Sequence, residues 1–289
     1  MTRAHVGVVA VWLVGCGGVI DASKSDASAN DGSASLDASI QKDGALVDVA
    51  SPPPVDAGTD AKPLGYLYFE QDNSTPSSGA VFVGEFFSDT TQANQGCIVT
   101  SSGACLVYDC PSPPPTTMNL GAGTLTITGG PLGQTGTTVP QSNPYYFYNY
   151  GNGGLVKGDV MGVSASGGQV PAFGPKTVTM PGVITLTSPP NPFTIATSSD
   201  VTATWSNGET GASAVVELTA DLNGKTWAVY CTFDAATGTG TIPKALLGPM
   251  KGVTGNVFWG QEHDVFFTAG QYPLQLTAFQ YAYGSASFQ

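Results

Sequence analysis

The pattern of hydrophobic and polar positions divides the chain into three parts. A short apolar run at residues 6–14 follows a basic start, and a polar stretch without aromatic residues continues to residue 62. From residue 63 to residue 289, short segments rich in aromatic and β-branched residues alternate with clusters of Gly, Pro, Asn and Ser. Such segments are typical of β-strands, and their regular spacing is typical of a sandwich or barrel. The sequence therefore predicts an all-β body that follows a leader and a linker.

Period-two alternation supports the all-β prediction. In residues 201–205, Val201, Ala203 and Trp205 fall on one side of a strand and threonines fall on the other. The segment 227–233 also places apolar residues at every second position. A strand with one apolar and one polar face is typical of an antiparallel sheet that covers a core on one side. We therefore expect one or two packed antiparallel β-sandwiches.

Proline residues mark the clearest internal boundary of the body. Three of the four residues at 189–192 are proline, and the segments on both sides carry their own predicted strands. The length of the body suits one large or two small β domains. We expect two packed β-sandwich units, at residues 63–187 and 188–289, and a single sandwich with long loops is the alternative.

The second of these units resembles immunoglobulin-like and fibronectin-like sandwiches. Residues 199–205 resemble the early strand of those domains that carries a buried tryptophan, here Trp205, and residues 214–218 resemble the strand that follows. The resemblance implies an immunoglobulin-like β-sandwich for this unit. With its segments at 158–165 and 170–173, the whole chain is similar to uncharacterised Gram-negative lipoproteins, a family that implies no particular activity.

The amino terminus carries the features of an export signal. Arg3 gives it a positive charge, and the apolar run at 6–14 is too short to span a bilayer. A basic start, a short apolar stretch and small residues at its end are typical of a secretory signal peptide. Residues 13–16 resemble the lipobox of bacterial lipoproteins, which implies cleavage of a signal peptide at 1–15 and acylation of Cys16. The alternative is an ordinary signal peptide in which Cys16 is incidental.

Acylation of Cys16 would make the lipid bilayer the first partner of this protein. Fatty chains such as palmitate bury methylene groups in the membrane and give a durable anchor. Gly17, rather than aspartate, follows the cysteine, and the resemblance to Gram-negative lipoproteins then implies release to the outer membrane. We therefore expect a lipid-anchored protein of the cell envelope, facing either the periplasm or the cell surface.

Residues 16–62 have the composition of a spacer. From residue 17 onward, Ala, Asp and Ser make up more than half of the segment. Such a segment cannot bury enough apolar surface to offset the entropy that it would lose on ordering. The sequence therefore predicts a disordered acidic linker. A calcium site is disfavoured because the turn glycine and the glutamate of a calcium loop are missing.

The four cysteines after Cys16 are an even number, which is the expectation for disulfides in an exported protein. Cys97 and Cys105 flank a predicted hairpin, which favours a bond between them and leaves Cys110 to join Cys231 across the two units. The other two possible pairings stay open. A zinc site is disfavoured because the sequence has no Cys-x2-Cys pair.

Charge and composition exclude several function classes. The chain has a formal net charge of -12 and only nine basic residues, of which Arg3 is the one arginine. Nucleic-acid binding needs clustered Lys and Arg, so no nucleic-acid partner is expected. The sequence contains no phosphate-binding loop, dinucleotide fingerprint or His-Glu-x-x-His motif. We therefore expect neither a cofactor nor a metal.

His263 is the only histidine outside the predicted signal peptide, and Glu262 and Asp264 flank it. Adjacent residues of a strand point to opposite faces, so a catalytic relay would need partners that folding brings from elsewhere. The nucleophile pattern Gly-x-Ser-x-Gly is absent from the sequence. The alternative function is therefore an extracytoplasmic hydrolase on a β scaffold that uses His263 and nearby carboxylates.

A row of aromatic residues gives the clearest binding signal. Tyr146, Tyr148 and Tyr150 share one face of a predicted strand. Exposed tyrosines stack on sugar rings or anchor protein partners, because they offer contact area at a low entropy cost. We predict that the three form a flat exposed platform, and packing between sheets is the alternative. The function expected first is therefore a non-enzymatic binding or structural module, with a glycan or an envelope or extracellular protein as its partner.

Overall fold

The computed structural model describes residues 63–74, 79–89, 94, 96–111, 119–142, 145–151 and 154–289. The predicted signal peptide, Cys16 and the predicted linker lie outside the described residues. Within the described part of the chain, the regular structure is almost entirely β-strand, with four 3-10 helices of three residues each. None of the described helices is long and apolar enough to cross a membrane. The predicted all-β fold class is confirmed.

Eighteen strands form three sheets within the described residues. In chain order the strands are β1 (Gly65–Asp72), β2 (Ala80–Phe86), β3 (Ile98–Ser102), β4 (Cys105–Pro111), β5 (Leu125–Thr128), β6 (Thr137–Val139), β7 (Gln141–Ser142), β8 (Tyr145–Asn149), β9 (Val160–Ala165), β10 (Phe173–Thr179), β11 (Thr185–Ser188), β12 (Phe193–Ile195), β13 (Val201–Ser206), β14 (Ser213–Asp221), β15 (Lys225–Asp234), β16 (Thr239–Ile242), β17 (Thr254–Ala269) and β18 (Tyr272–Phe288).

A long hairpin near the end of the chain forms the spine of the largest sheet. β17 and β18 pair from Thr254 opposite Ser287 to Ala269 opposite Tyr272. Strands β14, β15, β4 and β3 continue the sheet beyond β17, and strands β1, β2, β8 and β7 continue it beyond β18. β12 follows β1 along the same edge of β18. β1 and β12 run parallel to β18, and the other pairs of this sheet are antiparallel.

The alternation of residues along β18 explains how one hairpin serves two cores. Side chains of a strand alternate between its two faces, so residues two apart face the same way. Leu274, Leu276 and Ala278 belong to a first apolar core, and Ala286 and Phe288 belong to a second. Both cores therefore lie on the same face of the large sheet, one at each end of the hairpin.

Two small sheets cover these cores. The sheet β10-β9-β5-β6 encloses the first core, which includes Leu67 and Phe69 of β1 and Ile127 of β5. The sheet β11-β13-β16 encloses the second core, which includes Trp205 of β13 and Val216 of β14. Together with β15, β14, β17 and β18, this second small sheet forms an immunoglobulin-like sandwich. Trp205 is buried, as the resemblance implied.

The strands of the predicted units 63–187 and 188–289 separate into the two small sheets, with the predicted boundary falling inside β11, but they mix in the large sheet. The small sheets divide between Thr179, where β10 ends, and Thr185, where β11 begins. In the large sheet, strands from the first segment flank those of the second on both sides, since β4 pairs with β15 and β1 pairs with β18. Local sequence patterns do not reveal such long-range pairing, and the two predicted units are therefore joined through one continuous sheet.

The other face of the large sheet is concave. Tyr66 and Tyr68 of β1 lie in one cluster of buried residues with Tyr108 of β4 and Tyr230 of β15. Four strands separate β1 from β4 in the sheet. Tyr66 nevertheless lies close enough to Tyr108 to contribute to the raised pKa of its hydroxyl. Because neighbouring strands lie about 4.8 Å apart, two side chains separated by four strands come this close only if the sheet bends around them. We call this surface the concave face.

Candidate functional site

The four described cysteines form two disulfides, as predicted, but the predicted pairing is wrong. The bonds join Cys97 to Cys110 and Cys105 to Cys231, instead of Cys97 to Cys105 and Cys110 to Cys231. In the β3–β4 hairpin, Cys105 lies at the turn, whereas Cys97 and Cys110 meet at the open end. β15 then places Cys231 directly opposite Cys105. The strand register, rather than the proximity of two cysteines in sequence, sets the pairing.

The predicted tyrosine platform is wrong, because the three tyrosines face the first core. Tyr146 is 1% exposed, and its hydroxyl donates to the Gly123 carbonyl and accepts from the Ala122 N–H, both at 2.8 Å. Tyr148 and Tyr150 are half-buried against the same core. The alternative, packing between sheets, is the arrangement that the structure shows.

The other side of β8 carries the exposed aromatic residues instead. Tyr145 is 39% exposed and Phe147 is 41% exposed, and their rings lie edge to face at 6.3 Å. Strand alternation fixed which residues share a face, but the sequence did not show which face meets the core. The exposed pair lies on the same side of the large sheet as the concave face, because Phe147 pairs with Val83 and Val83 pairs with Tyr68.

His263 is separated from the two carboxylates beside it in sequence. Its Nδ1 atom lies 2.8 Å from the Thr179 carbonyl oxygen, on the side of β17 that faces the small sheets. Glu262 and Asp264 point to the concave face, where Asp264 accepts hydrogen bonds from Gln275 and Thr277. The alternation of β17 therefore keeps both carboxylates away from the His263 ring.

Folding brings a different carboxylate towards His263. Glu209 accepts a hydrogen bond from the Gly182 N–H and forms an ion pair with Lys157 at 2.6 Å. Burial alone would raise the pKa of Glu209, but the Lys157 hydrogen bond, the Gly182 N–H, and the charges of Lys157 and His263 together hold it below its usual range. Gln261 accepts a hydrogen bond from the Glu209 N–H and donates to the Gly182 carbonyl. These contacts fix the crossing between the two small sheets.

The concave face holds a cluster of acidic residues that the sequence analysis did not single out. Glu70 of β1, Glu217 of β14 and Glu262 of β17 are buried there, and Glu85 of β2 is half-buried. Glu217 lies opposite Tyr230 in the register of β14 and β15, so its side chain shares the face of the tyrosine cluster. The large sheet thus encloses carboxyl groups and tyrosine rings together.

Burial changes the acidity of all four carboxyl groups. It raises the pKa of Glu217 from 4.5 to about 8, and that of Glu85 to about 7. Burial, with the charges of Glu85 and Asp72, raises the pKa of Glu70 to about 7. Burial and the nearby Asp264 carboxylate hold the pKa of Glu262 well above its usual range. Burial in a medium of low polarity disfavours the charged form, so these groups keep their protons up to a higher pH than exposed carboxyl groups do.

The hydrogen bonding of this cluster is incomplete. The Tyr230 hydroxyl lies within 3.4 Å of both Glu262 carboxyl oxygens. Both carboxyl oxygens of Glu217 and the hydroxyls of Tyr68 and Tyr108 are buried without a hydrogen-bond partner. Unpaired polar atoms inside a protein are costly, and each calls for a structural or functional explanation.

Among the residues that the structure describes, no basic side chain forms an ion pair with these buried carboxyl groups. Residues 63–289 contain five lysines and no arginine. Lys157 pairs with Glu209, Lys225 pairs with Asp109, and Lys176 lies over the Phe267 ring. The other two lysines are exposed on surface turns, at positions 244 and 251. Within the described residues, no group of three or more His, Cys, Asp and Glu is arranged to hold a metal ion.

A sequence signal for the buried carboxyl groups does exist. Glu217 stands between Val216 and Leu218 in a run of apolar residues, and Glu70 follows an equally apolar run in β1. A continuous apolar run indicates a strand buried on both faces. A glutamate inside such a run must therefore be buried, whichever face it points to.

Comparisons with known proteins add little to this description. No family model matches the chain, and no curated protein matches it. Among solved structures, a segment of two fibronectin type-III domains from chicken tenascin is 15% identical to the chain, with a TM-score of 0.19. That match covers 63% of this chain and 95% of the tenascin segment. The assignment of the fold rests on the strands and sheets of this chain itself.

Proposed function

We propose that this protein is a lipid-anchored lipoprotein of the bacterial cell envelope, whose β body is a binding or structural module and not an enzyme. Its anchor would be the acylated Cys16, and the segment that follows would hold the body away from the outer membrane. The partner would be a glycan or another envelope or extracellular protein.

The use of cysteine is the observation that carries this proposal. The chain has five cysteines, and two disulfides use Cys97, Cys105, Cys110 and Cys231. Disulfides form and persist in oxidising compartments outside the cytoplasm. Cys16 is the one remaining cysteine, and it directly follows the predicted signal peptide. Export and acylation together therefore account for every cysteine in the sequence.

Two further features support a binding role. Tyr145 and Phe147 offer exposed aromatic area next to the short strand β7 at the edge of the large sheet. Aromatic side chains of this kind are enriched where proteins contact partners. The carboxylates beside His263 in sequence point away from it, which removes the simplest arrangement for the alternative hydrolase.

Acylation is tested by expressing the full chain in a Gram-negative host that is fed an alkyne-labelled fatty acid. We expect the wild-type protein to carry the label and to sediment with membranes. The variant Cys16→Ser should lose the label and the membrane association, whereas Ser23→Ala, a change in the same acidic segment, should keep both. An unlabelled wild-type protein that still begins at Met1 would contradict the proposal.

A further inference from the structure

One edge of the large sheet is an open strand without the usual protection. β3 is the outermost strand on its side, and within the described residues it pairs only with β4. It contains no charged residue and no proline, and its register with β4 is continuous. Ile98 of this strand is 64% exposed, more than any other large apolar side chain in the described part of the chain. Exposed edges of this kind can pair with further strands.

The other outermost strands of the three sheets, and β12, are protected by proline, which has no N–H to donate. Pro175 lies within β10, β6 and β7 adjoin Pro140, β11 adjoins Pro189, β12 adjoins Pro192, and β16 adjoins Pro243. The register also shifts within β10 and within β11. Charges, prolines and bulges are the means by which proteins prevent pairing at the edge of a sheet. β3 has none of them, so its edge is the one that remains able to pair.

The register of the β3–β4 hairpin shows which backbone groups of β3 face outward. It places Cys97 opposite Cys110, and the Cα atoms of these two residues are 4.1 Å apart. So short a distance is typical of the antiparallel pairs that do not exchange hydrogen bonds, which alternate along the strands with pairs that do. Val99 and Ser101, two and four residues after Cys97, therefore turn their N–H and C=O groups away from β4, towards the open edge.

A second copy of β3 fits these outward groups. In an antiparallel pair with a two-fold axis at Thr100, Val99 of each copy would lie opposite Ser101 of the other. Such pairs exchange hydrogen bonds in both directions, so all the outward groups of Val99 and Ser101 would be satisfied. Ile98 would lie opposite Ser102 of the second copy, which would cover part of its exposed side chain. Contacts in which both copies use the same surface are the commonest kind in protein dimers.

Charge also favours contact between two copies at this edge. Residues 63–289 contain thirteen acidic residues and five lysines, so two copies repel each other over much of their surface. β3 itself is uncharged, and Asp109, which lies opposite Ile98 on β4, already forms an ion pair with Lys225. Two copies can therefore approach along β3 without bringing unpaired like charges of these strands together.

We propose that this protein forms a symmetric dimer in which β3 of one copy pairs antiparallel with β3 of the other. The large sheets of the two copies then join into one continuous sheet. This inference goes beyond the proposed lipoprotein role, and it does not depend on the acylation of Cys16.

Cysteine cross-linking of the purified full chain tests the pairing. Thr100 is exposed, and in the dimer it lies opposite Thr100 of the second copy in a pair that does not exchange hydrogen bonds. The Cα atoms of such a pair are about 4.5 Å apart, a distance that a disulfide can span. Under mild oxidation, Thr100→Cys should give a covalent dimer on a non-reducing gel. Thr241→Cys, at an exposed position of the edge strand β16, should remain monomeric.

Two further variants test whether the edge of β3 forms the contact. Ser101→Pro removes an outward N–H and leaves the hydrogen bonds between β3 and β4 in place, whereas Thr100→Lys brings like charges together across the two-fold axis. Each should weaken dimerisation by about tenfold or more, measured by light scattering over a series of protein concentrations. Ser101→Ala and Thr100→Ser keep the backbone groups and add no charge, so they should dimerise as the wild type does.

A wild-type chain that stays monomeric throughout the concentration series would overturn the proposal and leave the edge of β3 to a strand of another protein. Undiminished dimerisation in Ser101→Pro or in Thr100→Lys would also overturn it, as would equal cross-linking of Thr100→Cys and Thr241→Cys. Because Thr100 is exposed, Thr100→Lys should keep the unfolding midpoint of the wild type even if Ser101→Pro lowers it. The acylation test concerns Cys16 alone, so either proposal can fail while the other stands.

Discussion

The two faces of the large sheet bury different kinds of side chain. On one face, two small sheets cover apolar side chains such as Phe69 and Trp205. On the other, the sheet bends around tyrosines and the carboxyl groups of Glu70, Glu217 and Glu262. The same strands supply both surfaces, because side chains alternate along each strand. The contribution of the first face to stability depends on buried apolar area, whereas that of the second depends on the protonation of its buried carboxyl groups.

The difference lies in how each face responds to pH. Burial of apolar area contributes a free energy that does not change with protonation. A buried carboxyl group with a raised pKa favours folding only while it keeps its proton. One sheet therefore joins a pH-independent face to a pH-dependent one, and substitutions on each face should behave differently.

The largest effect is expected on the apolar face. Phe69 is fully buried, and its ring lies 5.0 Å from that of Phe82. Phe69→Ala should lower the free energy of unfolding by about 3–5 kcal/mol, because it removes buried area and leaves a cavity. Urea unfolding should give the same loss at pH 5 and at pH 8.5. If the loss of unfolding free energy differed strongly between the two pH values, the apolar face would also depend on pH, and the contrast between the two faces would be wrong.

A smaller, pH-dependent effect is expected on the concave face. The pKa of Glu217 is raised from 4.5 to about 8, so the folded chain holds a proton that the unfolded chain releases near pH 4.5. Its contribution to stability is present in full below pH 4.5 and is lost as the pH rises to about 8. Between pH 5 and pH 8.5, the wild type should lose about 2–4 kcal/mol more than Glu217→Gln. Parallel pH profiles of the two proteins would contradict this prediction.

The smallest effect on stability is expected at the ion pair between Lys157 and Glu209. Glu209→Gln therefore serves as a control for Glu217→Gln. Lys157 is mostly exposed, and exposed ion pairs contribute about 0–1 kcal/mol. The pKa of Glu209 is lowered, so its contribution is lost only at acidic pH, below the range compared here. Glu209→Gln should therefore change stability by less than about 1 kcal/mol and leave the slope between pH 5 and pH 8.5 unchanged. If Glu209→Gln instead flattened the slope of stability against pH, the pH dependence would come from this ion pair and not from the concave face.

Local sequence patterns predicted the strands and the cysteines that form disulfides. They did not predict which strands pair or which cysteines bond to each other. Trp205 is buried on the face that alternation indicates, and all four described cysteines are bonded. The disulfide pairing depends on the register of β4 against β15, which lie more than a hundred residues apart in sequence. Long-range register depends on the whole fold, and no short segment contains that information.

The candidate site was predicted less well for a related reason. The sequence showed that Tyr146, Tyr148 and Tyr150 share a face, but which face is inside depends on the small sheet that covers it. The unpaired carboxyl group of Glu217 could have been found from the apolar run around it. Its proximity to Tyr108 could not, because it depends on the pairing of β14 with β15 and of β15 with β4.

The parallel pairing of β1 with β18 has a consequence for how the body is assembled. Gly65, in the first strand, lies opposite Leu274, close to the end of the chain. Because β1 precedes β18 in the chain, one edge of β1 stays unpaired until β18 has formed and paired with it. Edges of this kind invite pairing with other chains. A chain truncated before β18 would leave one edge of β1 and one edge of β17 without a partner strand.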